Sequence, residues 1–171
     1  MAYKKLKLWF NEDLANLLSK NILEIQPNFN KEDFVHLVQN GIEPLELKDR
    51  VELFADGLHQ QLGEGFKSNY SVLSQILGPE NEEETGMFFN YYWVMPIAKY
   101  VEKYGLNDFD FSMNAIVEIT KRNTGEYAIR PFIEKYPKET LKVMYKWSKD
   151  KNKHVRRLAC EGGRPRLPWA K

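Results

Sequence analysis

Residues 128–159 read AIRPFIEKYPKETLKVMYKWSKDKNKHVRRLA, and this stretch decides the fold. Ala128-Ile129-Arg130 returns 26 residues on as His154-Val155-Arg156, each followed two positions later by an apolar residue, Phe132 and Leu158. Between them lies a lysine-rich segment in which Lys138, Lys142 and Lys146 stand four apart and so share one helix face. Short amphipathic helices in pairs, with Asp150 just ahead of the Val155-Arg156-x-x-Ala159 segment, are the pattern of HEAT-type stacking, although the usual HEAT period is ~40 residues. The pattern predicts an all-α fold of HEAT-like helical repeats forming a curved α-solenoid. A plain helical bundle is the alternative that spacing alone leaves open.

Upstream, apolar residues keep the same helical period. Leu14, Leu17, Leu18, Ile22 and Ile25 make one stripe, stopped by Pro27. Asn30 caps the next segment (Phe34, Val35, Val38), which Gly41 ends. Val51, Phe54, Ala55, Leu58 and Leu62 precede Gly63; Phe66, Tyr70, Leu73 and Leu77 precede Gly78 and Pro79. Glu80 to Gly86 reads as an exposed acidic loop. Beyond it, Val94, Ile97, Ala98 and Val101 share a face, and Asn107 or Asp108 caps the helix of Phe109, Met113, Ile116 and Val117. Ile129, Phe132, Ile133 and Tyr136 follow up to Pro137, then Leu141, Met144, Tyr145 and Ser148, then Val155, Leu158 and Ala159. The total is about nine helices with short connections and no strand.

The 171 residues suffice for one domain with a sizeable core. A hydrophobic fraction of 43% against 29% charged places the chain among folded globules rather than disordered segments. No apolar run approaches the ~18 residues of a membrane span, and Trp9-Phe10 pass straight into Asn11-Glu12-Asp13, without a signal-peptide core. The single cysteine, Cys160, leaves no internal disulfide and suits a reducing cytoplasm.

The net charge of +1 conceals an asymmetry. Residues 138–171 hold 11 Lys/Arg against 3 Asp/Glu, whereas residues 1–137 hold 14 against 21. Lys142, Lys146, Lys149 and Lys153, with His154, Arg156, Arg157, Arg164 and Arg166, would form a ridge of charge suited to phosphates. A solvated helix face is the equal alternative from charge alone. His36, His59 and His154 are too far apart for a metal-ligand pattern and, taken singly, read as surface or packing residues; no glycine-rich phosphate loop is present, and Cys160 reads as inert.

Residues 154–169, HVRRLACEGGRPRLPW, alternate arginine and proline after a double glycine and close on Trp169. This stretch resembles the signature of the HEAT-like-repeat DNA alkylation repair glycosylases, the AlkC branch of the AlkC/AlkD superfamily, and Thr124 to Phe132, TGEYAIRPF, resembles a second signature of that branch. The resemblance implies hydrolysis of the N-glycosidic bond of cationic methylated bases, of the 3-methyladenine or 3-methylcytosine type, in duplex DNA. It implies no metal or other cofactor. Glu126, Glu161 and Trp169 would then line the lesion cleft, with Arg156, Arg157, Arg164 and Arg166 approaching the DNA backbone. Carboxylates suit the stabilisation of an oxocarbenium-like sugar and the placing of a water, and an indole face suits a cation.

Read structurally instead, Glu126 and Glu161 are helix ion pairs with Arg130 and Arg157, and Trp169 packs a terminal repeat. Family members continue through further repeats that carry a catalytic aspartate. The expectation is therefore a single HEAT-like domain over 1–171 that forms the N-terminal portion of a longer solenoid, or a short relative. A non-catalytic DNA-binding module and a protein-interaction scaffold are the competing functions. The remaining expectations are a monomer, double-stranded DNA as partner, no membrane contact, and a cytoplasmic, nucleoid-associated location.

Overall fold

The computed structural model describes residues 5–165. Among these residues the chain forms ten α-helices and no strand: α1 (Glu12–Leu23), α2 (Lys31–Gly41), α3 (Leu47–Leu62), α4 (Phe66–Gln75), α5 (Met87–Asn90), α6 (Met95–Tyr104), α7 (Phe109–Thr120), α8 (Arg130–Lys135), α9 (Pro137–Trp147) and α10 (Lys153–Glu161). Nine of them answer the nine apolar stripes. The additional one, α5, is a single turn, too short for any periodicity to register.

The helix ends follow from side chains that satisfy free backbone N–H groups. Asn11 accepts from the Leu14 amide and Asn30 from the Asp33 amide, each followed by two acidic residues that suit the positive end of the helix. Asn152 caps α10 by accepting from the His154 and Val155 amides. Asp108 stands at the expected start of α7 but makes no capping bond; its carboxylate instead pairs with Lys67 at 2.6 Å. Pro137 both ends α8 and opens α9, because a proline ring fits a first helical turn, where no backbone donor is needed.

The packing runs as a chain of neighbours. α1 packs on α2, α2 on α3, α3 on α6, α6 on α7, α7 on α10, α10 on α9 and α9 on α8, with α4 laid across α6 and α7. This succession of mainly local interfaces is the stacking mode of a helical repeat. One hydrophobic core threads through it: Leu14, Leu18 and Ile22 of α1, Phe34 and Val38 of α2, Phe54 and Leu58 of α3, Ile97 and Val101 of α6, Ile116 and Ile119 of α7, and Val155 and Leu158 of α10. Burying each such side chain contributes ~1.5–3 kcal/mol. Gly57 lets α2 and α3 close up, since a Cβ there would lie 2.8 Å from the Phe34 ring.

Two expectations are corrected. On α9 the packed face is Thr140, Met144 and Trp147, whereas Leu141 and Tyr145 are 56% and 66% exposed and Ser148 is exposed too. The aromatic Trp147 outcompetes Tyr145 for the core, which rotates the helix by about a residue. The acidic loop is exposed at Glu82, Glu83 and Glu84 but anchored at Asn81, which is buried and whose backbone N–H donates to the Lys121 carbonyl.

Arg50 is the unexpected buried charge, 7% exposed. Its guanidinium donates to four carbonyls, those of Leu45 at 2.8 Å, Phe10 at 3.1 Å, and Lys7 and Glu43 at 3.3 Å, and so ties the 3-10 turn Leu6–Trp9 and the α2–α3 connection to α3. Arg50→Met is expected to lower stability by roughly 2–3 kcal/mol, because charged-donor bonds are lost and buried carbonyls are left unpaired. Urea unfolding measures this; a loss below about 1 kcal/mol would mean that the carbonyls find other partners.

Candidate functional site

The two signature segments meet. After α7, Asn123 is buried and donates to the Tyr91 carbonyl at 2.8 Å, while its own side-chain oxygen accepts from the Thr124 amide. Gly125 then presses on α7 and α10: a Cβ there would lie 2.7 Å from Thr120 Oγ1 and 3.4 Å from Leu158 Cδ2. From the other side, a Cβ on Gly162 would lie 3.0 Å from Ile129 Cγ2. Arg130 Nη1 donates to the Arg164 carbonyl at 2.9 Å, which fastens the segment after α10 to the start of α8.

This seam forms one wall of a cleft of about 590 Å³. Glu126 and Tyr127 face it from the turn before α8, and Arg157, Glu161 and Arg164 face it from α10 and the residues that follow. The opposite wall is α3, with Leu47, Lys48 and Val51, and α6, with Met95, Ala98, Lys99 and Glu102. Glu84 to Phe88 close a third side. Charged groups thus surround an apolar floor, where electrostatic forces are screened less than in water.

Glu161 sits between two arginines, 3.3 Å from Arg157 Nε and 3.7 Å from Arg164 Nη2. The Glu161–Arg157 pair is the one that helical spacing anticipates. The Glu126–Arg130 pair does not form, because Glu126 lies on a turn rather than in the helix and Arg130 is engaged with the Arg164 carbonyl. The Glu126 carboxylate has no ion-pair partner among the described residues.

The residues of the basic ridge separate. Arg157 and Arg164 line the cleft, and Arg156 is exposed at the head of α10 with its guanidinium on the Asp150 and Lys151 carbonyls at 2.8 and 2.9 Å. Lys142 and Lys146 lie on the exposed face of α9, half a turn from the residues packing it, Lys149 is exposed in the turn after it, and none of the three lines the cleft. Lys153 instead donates to the Glu82 carbonyl at 2.5 Å. His154, grouped above with the DNA contacts, is 6% exposed and its Nε2 lies 3.0 Å from the Asn81 carbonyl, so the packing reading holds for it: it secures the acidic loop. Arg166 and Trp169 lie outside the described residues.

Glu102, Lys99, Lys48 and Tyr127 are cleft residues that the sequence did not single out. Burial holds the Glu102 carboxyl above the ordinary carboxylate range, against the opposing pull of Lys99 at 2.6 Å. A Lys and a Glu three apart on a helix read as a solvated pair; only the packing of α3 on α6 turns them into a wall. Burial also raises the Tyr127 phenol, as does the neighbouring Glu126 charge. Among the described residues no three His, Cys, Asp or Glu side chains converge as a metal site, and no helix is long and apolar enough to cross a membrane.

No protein-family model matches the chain. It is 34% identical over 167 residues to the uncharacterized protein YhaZ of Bacillus subtilis (strain 168), an alignment that spans 97% of this chain and 44% of that protein. In structure it is similar to the Pseudomonas fluorescens alkylpurine DNA glycosylase AlkC, solved bound to DNA containing an abasic site analog, with a TM-score of 0.86 and 31% identity over 99% of this chain and 45% of that one. The chain therefore spans less than half the length of either relative, and over that span it is AlkC-like in both sequence and helical-repeat fold.

His154→Ala is expected to speed amide hydrogen exchange at residues 81–84, because the bond that seats the loop is lost, and to cost ~1–3 kcal/mol in stability. Weaker DNA binding with unchanged exchange would instead make His154 a phosphate ligand.

Proposed function

We propose that this AlkC-like chain belongs to a DNA base-excision repair protein that grips duplex DNA at the cleft and hydrolyses the N-glycosidic bond of cationic alkylated bases. The observation that carries this reading is the convergence of Glu126 and Glu161, one from each signature segment, on a single cleft flanked by Arg157 and Arg164. Alkylation makes the base positively charged and a better leaving group. What the protein then supplies is negative charge beside the developing sugar cation and a placed water, both of which carboxylates provide.

The two carboxylates differ in their surroundings. Glu161 is held in place by two cations; Glu126, with no ion-pair partner among the described residues, is the one left available to a substrate cation. Arg157 and Arg164 would hold backbone phosphates at the cleft mouth, a contact that positions the duplex without reading its sequence. Trp169 and Arg166 keep, in this proposal, the roles that the family signature implies. The lysines of α9, on a separate face, would add only long-range attraction.

The proposal takes residues 1–171 as one HEAT-like domain of a longer solenoid, acting as a monomer without metal or other cofactor, in the cytoplasm and at the nucleoid. A family aspartate from later repeats would complete the site. The chain by itself is then expected to bind duplex DNA and to release little methylated base, whereas a form as long as its relatives releases it readily.

Binding should fall steeply with salt, and Arg157→Glu should weaken it by about tenfold and flatten the salt slope by about one charge or more. Lys142→Glu should weaken it less. Fluorescence anisotropy over a salt series, together with release of methylated bases from methylated duplex, tests both halves. Salt-independent binding, or equal losses from Arg157→Glu and Lys142→Glu, would overturn the assignment of the cleft as the DNA contact.

A further inference from the structure

One of the cations that line the cleft rests on an aromatic ring rather than on a carboxylate. The Lys48 ammonium, carried on α3, lies over the Tyr127 ring, 5.3 Å from its centroid, and so bridges the two walls. Lys48 is exposed and forms no ion pair among the described residues. A hydrated ammonium on a flexible four-carbon stem is a loosely held occupant.

The ring beneath it is fixed. Tyr127 is followed by Ala128 and Ile129, both fully buried, and the Gly125 contact with α7 sets the turn that carries it. Tyr127 lines the cleft together with two carboxylates, Glu126 next to it in the chain and Glu102 on α6. An electron-rich ring flanked by negative charge attracts cations, and a partly desolvated setting strengthens the attraction.

We propose that the Tyr127 ring is the cation-recognition face of the cleft, that Lys48 covers it while no substrate is bound, and that a positively charged nucleoside displaces Lys48 there. The inference rests on the proposed DNA-repair function and deepens it by naming the group that distinguishes a charged lesion from a neutral nucleotide. Such a contact favours whichever part of the nucleoside bears the charge: the alkylated base before cleavage, or the sugar during it. Lys48 then has a second consequence, because an undamaged, neutral nucleotide cannot replace its charge and leaves the ring covered.

The test uses the 171-residue chain and four duplexes: one with a pyrrolidine abasic analogue, charged at the sugar position; one with the neutral tetrahydrofuran analogue; one with a 2′-fluoro-stabilised 7-methylguanine, charged at the base; and one with guanine. The readout is the affinity ratio of charged to neutral duplex within each pair. The wild-type chain is expected to prefer at least one charged duplex by roughly two- to thirty-fold. The pair showing the preference tells whether the base or the sugar meets the ring. Tyr127→Leu should lower that ratio toward one, Tyr127→Phe should retain it, and Lys48→Met should enlarge it, because the competing ammonium is gone. A wild-type ratio of one in both pairs, or a ratio unchanged by Tyr127→Leu, overturns the inference while salt-sensitive duplex binding upholds the broader reading. A ratio unchanged by Lys48→Met overturns the role given to Lys48. Failure to bind any duplex overturns both.

Discussion

The seam between the two signature segments is the constraint on which the rest depends. Gly125 and Gly162 each stand where a Cβ would come within about 3 Å of a neighbour, so the turn after α7 and the end of α10 approach more closely than any other residue type would permit. Ile129, Phe132, Val155 and Leu158 are buried around this approach, and their loss from water contributes most of its stability. The Arg130 bond to the Arg164 carbonyl closes the seam at its outer edge. Because the two backbones are locked together, Glu126 and Glu161, 35 positions apart in the chain, share one cleft.

The cleft keeps its charges in distinct conditions. Glu161 is clamped by Arg157 and Arg164, and Glu102 is paired with Lys99 but half-withdrawn from water, which raises its carboxyl. Glu126 is unpaired among the described residues, and Lys48 rests on an aromatic face rather than on a carboxylate. An apolar floor of Leu47, Val51, Met95 and Ala98 makes each of these differences count for more than it would at an open surface. A site of this kind gives each charge its own environment: the Glu161 carboxylate is held between two arginines, that of Glu126 has no ion-pair partner among the described residues, and the Lys48 ammonium rests on an aromatic ring.

The basic C-terminal region divides by helix. α10 turns Arg157 toward the cleft, with Arg164 just beyond its end, while α9 packs through Thr140, Met144 and Trp147 and so sends its lysines the other way. The stretch at the head of α10 spends its polar groups on the acidic loop: His154 on the Asn81 carbonyl, Lys153 on the Glu82 carbonyl and Asn152 on Glu80. That loop then supplies Glu84 and Thr85 to the rim of the cleft. A run of cations in the chain is thus partly a scaffold for the acidic loop beside the cleft and only partly a lining of the cleft itself.

Several features are local and were legible in the chain itself. Apolar spacing marks nine of the ten helices because a helix that buries one face repeats its apolar residues every 3.6 positions. Asn30 and Gly63 mark ends because capping and left-handed geometry depend on the residue at that position. The two signature segments were recognisable because unusual residues stand at short, fixed spacing. What only the tertiary structure decided is non-local. Trp147 rather than Tyr145 takes the core side of α9, Arg50 finds four carbonyls from two separate segments, and His154 turns inward. Lys99 with Glu102 on α6 and Lys48 on α3 read alone as solvated surface charge, and each became part of a cleft wall only when α3 packed on α6 opposite the seam. Burial and partnership are properties of the space around a side chain, and that space is built by residues far away in sequence.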